Sequence, residues 1–204
     1  MGKRLIAILR DVDYVDAVPI VQTLLDNGIN ELEISLSSEQ TGLRTLKEVS
    51  RKFGDKVKIG VGTVVSIEQL EKSIENGANF IITPAFDPIL VSYCIKKGIE
   101  IIPGVFTPGD VMFALNLGVY VLKLFPANAL PMNYIKTLSG PFPKAKFLAV
   151  GGVSIDTVDT FLANGFIGLA PGSDLVKRGA TVADLRLIAE KARNYVAKCK
   201  AYDS

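Results

Sequence analysis

Short apolar runs alternate along the chain with stretches in which apolar residues recur at helical spacing. Runs of the first kind predict buried strands, and stretches of the second kind predict helices that cover those strands. Eight runs are predicted to be strands, over residues 5–10, 32–36, 58–63, 80–84, 99–103, 119–126, 146–152 and 167–173. The predicted helices include residues 15–26, 39–52, 67–75 and a closing helix over 182–198.

Glycines separate each helix from the strand that follows it. Gly28 ends the first predicted helix, and Gly77, Gly98 and Gly118 are spaced so that one short helix and one strand fit between neighbours. Strand–helix alternation of this kind implies a parallel sheet with right-handed crossovers. Eight units favour an α/β fold in which residues 1–204 form a single (β/α)8 barrel domain, with a doubly wound open sheet as the alternative.

The composition excludes several classes of protein. The chain has 204 residues and is 49% hydrophobic, which suits one domain with a sizeable core. No apolar run is long enough to cross a bilayer, and the first one is too short for a signal peptide. A net charge of +2 leaves no basic surplus for nucleic acid. Cys94 and Cys199 lack metal-ligand spacing, so we expect two reduced thiols in a cytoplasmic protein.

The chain contains no histidine, and this limits its chemistry more than any other feature of the composition. Ser–His triads, most zinc sites and the usual general base are excluded together. Catalysis must then use lysine, carboxylates, tyrosine, arginine, hydroxyls, backbone amides or an external ion.

Lys123 is a charged residue inside an apolar run, Tyr120-Val121-Leu122-Lys123-Leu124-Phe125-Pro126. A buried ammonium costs on the order of several kcal/mol unless it is paired or loses its proton. The neutral amine is a nucleophile that attacks ketones and forms a Schiff base. The alternative is that Lys123 extends out of the strand end or pairs with a carboxylate.

The carboxyl ends of the strands are where a parallel barrel carries its active site. Side chains alternate along a strand with a period of two, so Glu33, Ser35 and Ser37 share one face and Lys123 shares a face with Phe125. We therefore expect Glu33 and Lys123 to point into the same small lumen, with a buried structural ion pair as the alternative. The other predicted rim residues are Arg10, Thr63, Thr83-Pro84, Pro103-Gly104, Gly151-Gly152 and Gly172-Ser173.

The last two predicted strands both end in glycine, at Gly151-Gly152 and at Gly172-Ser173. Barrels commonly bind phosphate through backbone amides in the loops after these two strands. Glycine permits close approach, and the Ser173 hydroxyl adds a donor. The alternative is a pair of tight turns in which Ser173 caps a helix near Asp174.

A nucleophilic lysine, a carboxylate within reach and a phosphate site together fit a Schiff-base aldolase. Lys123 attacks a ketone, and the resulting iminium withdraws electrons from the bond that breaks. Glu33 moves protons during dehydration of the carbinolamine and at the hydroxyl beside the cleaved carbon–carbon bond. This chemistry needs no metal and no cofactor, because the iminium takes the role of a Lewis acid.

Five motifs make the chain resemble the small 2-keto-3-deoxy-6-phosphogluconate and 2-keto-3-deoxy-6-phosphogalactonate aldolases, some of which also act on 4-hydroxy-2-oxoglutarate. The resemblance extends from residue 5 to residue 175. The motifs are specific together rather than singly: Leu32-Glu33-Ile34 followed by Leu36, Gly60-Val61-Gly62-Thr63-Val64, Ile82-Thr83-Pro84, Lys123-Leu124-Phe125-Pro126 and Ala149-Val150-Gly151-Gly152-Val153.

The resemblance implies a lyase that cleaves a phosphorylated sugar acid to pyruvate and glyceraldehyde 3-phosphate. It implies that Lys123 forms the imine and that Glu33 is the general acid and base. It also implies a pocket with Thr63, Pro84 and Phe125, and a phosphate site with Gly151, Gly152, Gly172 and Ser173. A small-molecule substrate and a homotrimer of barrels are implied as well, the trimer by the resemblance alone.

Three positions bear on which sugar acid is preferred. Ser37 stands where the gluconate branch has an arginine and the galactonate branch an asparagine. Val150 matches the galactonate branch, whereas the gluconate branch has threonine. Arg10 matches an arginine of the galactonate branch and is suited to bind the substrate carboxylate as a bidentate partner. These positions favour phosphogalactonate. The two acids differ in the stereochemistry of one hydroxyl, and discrimination between them depends on contacts worth only about 1–3 kcal/mol.

Two other functions fit the same residues. A sugar-phosphate isomerase or epimerase with Glu33 as base would use the same glycine site and form no imine. A catalytically silent protein that binds phosphorylated ligands would change in little beyond affinity when Lys123 is replaced by alanine.

Overall fold

The computed structural model describes residues 2–203 and contains nine strands and eight α-helices. None of the helices in this range is long and apolar enough to cross a membrane. The elements are β1 (Arg4–Leu9), α1 (Tyr14–Asp26), β2 (Glu31–Ser35), α2 (Glu39–Phe53), β3 (Lys58–Gly62), α3 (Ile67–Glu75), β4 (Phe80–Ile82), α4 (Pro88–Lys97), β5 (Glu100–Ile102), β6 (Gly104–Val105), α5 (Pro108–Asn116), β7 (Val121–Leu124), α6 (Tyr134–Ser139), β8 (Lys146–Val150), α7 (Val158–Ala163), β9 (Gly168–Ala170) and α8 (Leu185–Lys200).

All strand pairs are parallel, in the order β5-β4-β3-β2-β1-β9-β8-β7-β6. The two end strands of this order, β5 and β6, are consecutive segments of the stretch 100–105, so the sheet curls into a barrel. The predicted barrel class is therefore confirmed.

The predicted fifth strand, 99–103, needs a correction, because the stretch forms two segments on either side of Pro103. Proline has no N–H group and interrupts the ladder. The Pro103 carbonyl still accepts from the Lys123 amide at 2.9 Å, so the second segment pairs with β7 while the first pairs with β4.

Several other element boundaries also differ from the prediction. The strands β4, β8 and β9 end two to three residues before the predicted ends at residues 84, 152 and 173. The strand predicted over 119–126 is shorter, since β7 begins at Val121 and ends at Leu124. The peptide bond between Phe125 and Pro126 is cis. The closing helix predicted over 182–198 consists of a 3-10 turn, Val182–Asp184, followed by α8. The Thr181 amide donates to Asp184 Oδ2 at 2.9 Å and the Asp184 amide donates to the Thr181 carbonyl at 2.9 Å, and these two bonds set the start of that turn.

Local sequence signals explain the helix starts around the site. Ser66 caps α3 by accepting from the Gln69 amide at 3.2 Å, and Thr107 and Asp110 form a capping box at α5. Asp87 caps α4, which begins with proline and ends at Gly98 with φ +68°, a left-handed conformation that favours glycine. These caps fix where each helix joins the strand ends.

Strand side chains divide between two apolar clusters, one inside the barrel and one between strands and helices. On β1, Ile6 and Ile8 belong to the inner cluster, whereas Ala7 and Leu9 belong to the outer one. On β7, Leu122 and Leu124 are in the outer cluster. The period-two alternation therefore holds, and the inner cluster consists of Ile6, Ile8, Phe80, Ile82, Ile102, Leu148, Val150 and Ala170.

An ion network fills the N-terminal end of the barrel. Arg4 pairs with Glu31 at 2.5 Å and with Glu100 at 3.2 Å, and Lys58 pairs with Glu100 at 2.5 Å. The Arg4 and Lys58 cations also lie 5.7 and 5.0 Å from the centroid of the buried Phe80 ring. This floor leaves the C-terminal end of the barrel for a ligand.

Candidate active site

Lys123 points into the barrel from β7, since both of its strand neighbours belong to the outer core. Only 6% of the residue is exposed. Its Nζ lies 4.8 Å from the centroid of the Phe125 ring. Within residues 2–203, the Lys123 ammonium makes no ion pair closer than 4.0 Å and no hydrogen bond. The amine is thus buried without a partner that would hold its proton.

Burial is the main reason that the pKa of Lys123 is lowered from its ordinary value. The charge of Glu33 raises this pKa and the charge of Arg10 lowers it, so the two nearby charges oppose each other. A larger share of the amine is therefore neutral at physiological pH than in an exposed lysine. The neutral form is the one that attacks a carbonyl.

Glu33 lies in the middle of β2, beside Ile8 of the inner cluster in the parallel register. The residue is 1% exposed, and its Oε2 is a buried atom without a hydrogen-bond partner in the described chain. Buried carboxylate oxygens are normally bonded, so an unused acceptor points to a ligand or a proton-transfer role. Gly62 on the neighbouring strand provides the space, since a Cβ atom there would lie 1.9 Å from Oε1.

Three hydroxyls line the rim above Glu33. Ser35 is 2% exposed, and its Oγ lies 3.1 Å from Thr63 Oγ1 and 3.3 Å from Ser37 Oγ. Thr63 follows the end of β3 with φ +65°, which is strained for a β-branched residue. Ser37 is exposed and donates to Asp11 Oδ1 at 2.9 Å, so its hydroxyl is directed to Asp11.

The end of β4 contributes Thr83 and Pro84. Thr83 is 1% exposed, donates to the Ala85 carbonyl at 2.7 Å and accepts from the Gly104 amide at 3.2 Å. These bonds fix the chain on both sides of Pro84, which is half-buried at the rim. A Cβ atom on Gly104 would lie 2.4 Å from the Pro84 carbonyl oxygen, so glycine is required for this close approach.

A cavity of about 310 Å³ lies at the C-terminal end of the barrel. Its lining brings together Arg10, Phe125, Val150 and all four residues of the predicted phosphate site, whereas Lys123, Glu33, Ser37, Thr63 and Pro84 are not in the lining. The full lining is Ile8, Arg10, Phe125, Val150, Gly151, Gly152, Val153, Ala170, Gly172, Ser173 and Asp174. The Phe125 ring, 4.8 Å from Nζ of Lys123, connects the cavity to the lysine.

Backbone amides at this cavity are free to bind an anion. Among the described residues, the amides of Gly151, Gly152, Gly172 and Ser173 donate to no protein acceptor. No α-helix begins at Ser173, where the chain instead makes a turn in which Gly172 O accepts from the amides of Leu175 and Val176. The alternative in which Ser173 caps a helix is therefore wrong.

Arg10 is the guanidinium at this cavity that lacks a carboxylate partner within the described residues. The neighbouring cations are paired, Arg178 with Asp11 at 2.5 Å and Lys177 with Asp184 at 2.7 Å. The Arg10 carbonyl accepts from the Gly179 amide at 3.0 Å, which fixes the loop after β9 against the end of β1.

The sequence argument placed Ser35 on the rim but gave it no role in the site, and it did not select Asp11 or Asp174, although all three lie at the rim or the cavity. The period-two pattern places Ser35 on the face of Glu33 and was a signal for it. Asp11 and Asp174 belong to loops, where no periodicity indicates which way a side chain points.

A parallel barrel with a buried, partner-free lysine and a buried carboxylate at its open end is typical of imine-forming barrel enzymes. The chain belongs to the KDPG and KHG aldolase family, whose model matches residues 2–190.

The chain is also similar in sequence and structure to individual aldolases. The 2-dehydro-3-deoxy-6-phosphogalactonate aldolase of Escherichia coli is 33% identical over 179 residues, covering 87% of each chain. A solved structure described as native KDPGal has a TM-score of 0.89 at 30% identity and covers 97% of this chain and 95% of its own. The KDPG aldolase of Legionella pneumophila, solved with pyruvate as a covalent carbinolamine intermediate, has a TM-score of 0.81 at 28% identity and covers 100% and 95%.

Proposed function

We propose that the protein is a class I aldolase in which Lys123 forms a Schiff base with the ketone of a 2-keto-3-deoxy-6-phospho sugar acid. The reaction reversibly cleaves this acid to pyruvate and glyceraldehyde 3-phosphate. The observation that carries the proposal is the Lys123 amine, 6% exposed inside the barrel with a lowered pKa and no ion-pair partner within the described chain. Membership of the aldolase family supports the same reaction class.

The reaction has three stages. The neutral Lys123 amine adds to the keto carbon, and loss of water from the carbinolamine gives the iminium. The iminium then accepts the electron pair of the bond between the third and fourth carbons, while the hydroxyl on the fourth carbon loses its proton and becomes the aldehyde. The remaining enamine takes up a proton, and water hydrolyses the imine to release pyruvate.

Glu33 is proposed to transfer the protons in these stages. Its Oε2 is buried and unpartnered in the described structure, so it is available to accept and return a proton. Its charge acts on the Lys123 amine, which supports a location near the carbinolamine. No other carboxylate is buried to this degree among the described residues.

The remaining predicted residues are assigned to the two ends of the substrate. We assign the carboxylate and keto carbon to Arg10, Thr63, Pro84 and Phe125, because the unpaired guanidinium and the rim hydroxyl are polar groups above the lysine. We assign the phosphate to the free amides of Gly151, Gly152, Gly172 and Ser173. The two sets share one cavity through Arg10 and Phe125.

Trapping with borohydride tests the mechanism directly. Incubation with pyruvate and borohydride should add one reduced pyruvate unit to the protein, and peptide mapping should locate it on Lys123. Lys123→Ala should abolish both trapping and cleavage. Lys146→Ala is the matched control, since Lys146 is exposed on the neighbouring strand and should leave both intact. An isomerase or a silent binding protein would show no trapping, and near-normal cleavage by Lys123→Ala would contradict the mechanism.

The preferred substrate is proposed to be the phosphogalactonate epimer, with 4-hydroxy-2-oxoglutarate as a further substrate. Val150 supports this choice because it lines the cavity with an apolar side chain where the gluconate branch has a hydroxyl. Ser37 supports it less, since its hydroxyl is engaged by Asp11. Measuring kcat/KM for the two epimeric acids side by side tests the preference, and Val150→Thr should shift the ratio toward phosphogluconate.

We also propose a homotrimer of barrels in the cytoplasm. The trimer is supported by exposed apolar side chains on α4 and α5 and at the end of α5, including Ile89, Phe113 and Leu117, which are 71%, 55% and 36% exposed. Phe113 stacks on Phe86 at 6.2 Å and lines a surface groove of about 400 Å³ with Leu117. Light scattering after size exclusion should give three times the chain mass, and Phe113→Glu should lower it. A monomeric wild-type protein would contradict the trimer.

A further inference from the structure

Asp174 places a carboxylate at the cavity that we assign to phosphate. It follows Ser173 in the chain and lines the same cavity as Gly172 and Ser173. A carboxylate beside a phosphate dianion repels it unless its charge is directed elsewhere. Asp174 is held by α8, and this contact has no role in the chemistry described above.

Two side chains of α8 bind Asp174. The Tyr195 hydroxyl donates to Asp174 Oδ2 at 2.6 Å, and Tyr195 is fully buried. Lys191 Nζ lies 3.7 Å from Oδ1 and also donates to the Asp174 carbonyl. Burial raises the pKa of Tyr195, so its hydroxyl stays protonated and remains a donor.

The anchor matters at one end of the phosphate turn, defined here as residues 172–176. Leu175 and Val176 hold the other end, because both are buried in the outer apolar cluster. Leu175 and Val176 donate to the Gly172 carbonyl at 2.9 and 3.0 Å, which closes the turn on itself. A Cβ atom on Gly172 would meet no atom within 4 Å, so that end of the turn packs against nothing. Asp174 joins the Gly172–Ser173 end of the turn to the core through Tyr195.

We infer that Asp174, held by Tyr195 and Lys191, is a positioning residue for phosphate binding. Its anchored carboxylate fixes the phosphate turn, so that the free amides of Gly172 and Ser173 are pre-ordered. The same contact directs the Asp174 charge toward α8 and away from the anion. This inference rests on the proposed function and adds residues that touch no reacting atom.

Tyr195→Phe tests the inference because it removes one hydroxyl and keeps the ring. We expect KM for the phosphorylated acid to rise about tenfold, the loss of one hydrogen bond to a charged group, while kcat stays within about twofold. Inhibition by inorganic phosphate should weaken by the same factor. KM for non-phosphorylated 4-hydroxy-2-oxoglutarate should not change.

The matched control is Tyr202→Phe, whose hydroxyl contacts the Asp159 carbonyl at 3.4 Å and does not line the cavity. It should leave all these constants unchanged. Asp174→Asn keeps an acceptor for Tyr195 and should retain phosphate binding, whereas Asp174→Ala should match Tyr195→Phe. Combining Tyr195→Phe with Asp174→Ala should add no further loss, because both remove one contact.

Equal losses with both substrates, or an unchanged KM and phosphate inhibition in Tyr195→Phe, would overturn the inference. Borohydride trapping with pyruvate, measured on the same preparations, separates a failure of the proposed function from a failure of the inference about Asp174. Absence of trapping in the wild type contradicts the proposed function. Normal trapping without any selective effect on phosphate contradicts only the role of Asp174.

Discussion

Gly62 on β3 has no side chain, and the carboxyl group of Glu33 on β2 occupies the space that a side chain at Gly62 would fill. A Cβ atom on Gly62 would lie 1.9 Å from Glu33 Oε1 and 2.3 Å from its carboxyl carbon, closer than any real contact allows. The Glu33 carboxylate therefore owes its position inside the barrel to the absence of a side chain on the adjacent strand.

Gly62→Ala should displace the Glu33 carboxylate and lower kcat by at least about tenfold, because a small misplacement of a catalytic group is costly. Steady-state cleavage kinetics measures this effect. Gly109→Ala in α5 is the control, since the nearest neighbour of its added Cβ would be Thr107 Oγ1 at 3.6 Å, an ordinary contact distance. The control should keep full activity and gain about 0.5–1 kcal/mol of stability. Normal turnover in Gly62→Ala would show that the carboxylate position is unimportant.

Glu33→Gln should lower kcat by about 10²–10⁴-fold, the usual contribution of a general acid or base. Glutamine keeps the shape of the side chain and loses the ability to take up the proton, so imine trapping with pyruvate should slow but persist. Single-turnover trapping and cleavage assays separate the two effects. An unchanged cleavage rate would remove Glu33 from the mechanism.

Lys123→Met should stabilise the protein while it abolishes activity. The folded protein has a lowered pKa at Lys123, so the unfolded chain binds the extra proton between the two pKa values and wild-type stability rises with pH across that window. We expect the variant to be about 1 kcal/mol more stable at neutral pH, with the advantage shrinking as pH approaches the ordinary lysine value of about 10.4. Urea denaturation at several pH values tests this. An advantage that grows with pH would have the wrong sign.

Thr63→Gly and Thr63→Ala together isolate the backbone strain at φ +65°. Both lose the hydroxyl that lies 3.1 Å from Ser35 Oγ, so both should lose activity equally. Only glycine relieves the strain, and we expect Thr63→Gly to be about 1 kcal/mol more stable than Thr63→Ala. Equal stability of the two variants in thermal unfolding would show that the conformation is not strained.

Glu31→Gln should weaken the barrel floor without affecting the chemistry. Glu31 is 14% exposed and pairs with Arg4 at 2.5 Å and Lys58 at 3.4 Å, so its loss leaves two cations under-compensated. We expect a cost of about 1–3 kcal/mol in urea denaturation and an unchanged KM. The control Glu68→Gln removes an exposed partner of Lys72 and should leave the stability nearly unchanged, because exposed ion pairs are screened by solvent. A raised KM in Glu31→Gln would indicate that the floor and the site are coupled.

The features of the fold and the site that follow from regular periodicity could be predicted from the sequence. Strand alternation was sufficient to direct Glu33 and Lys123 inward, and the glycines were sufficient to delimit the repeating units. Periodicity could not reveal the break at Pro103, since the proline interrupts one strand whose two halves pair with different neighbours. Nor could it reveal the contacts of two loop residues with partners elsewhere in the chain, Asp11 with Arg178 of another loop and Asp174 with Tyr195 of α8.

The charged floor formed by Arg4, Glu31, Lys58 and Glu100 closes the N-terminal end of the barrel, so in the described structure the lumen opens at the C-terminal end. After cleavage, the pyruvate fragment remains covalently attached to the lysine as the enamine, whereas the triose is not attached. The triose nearer the entrance has to depart before the fragment tethered deeper on the lysine. Pyruvate should then be the last molecule out and, in the synthetic direction, the first one in.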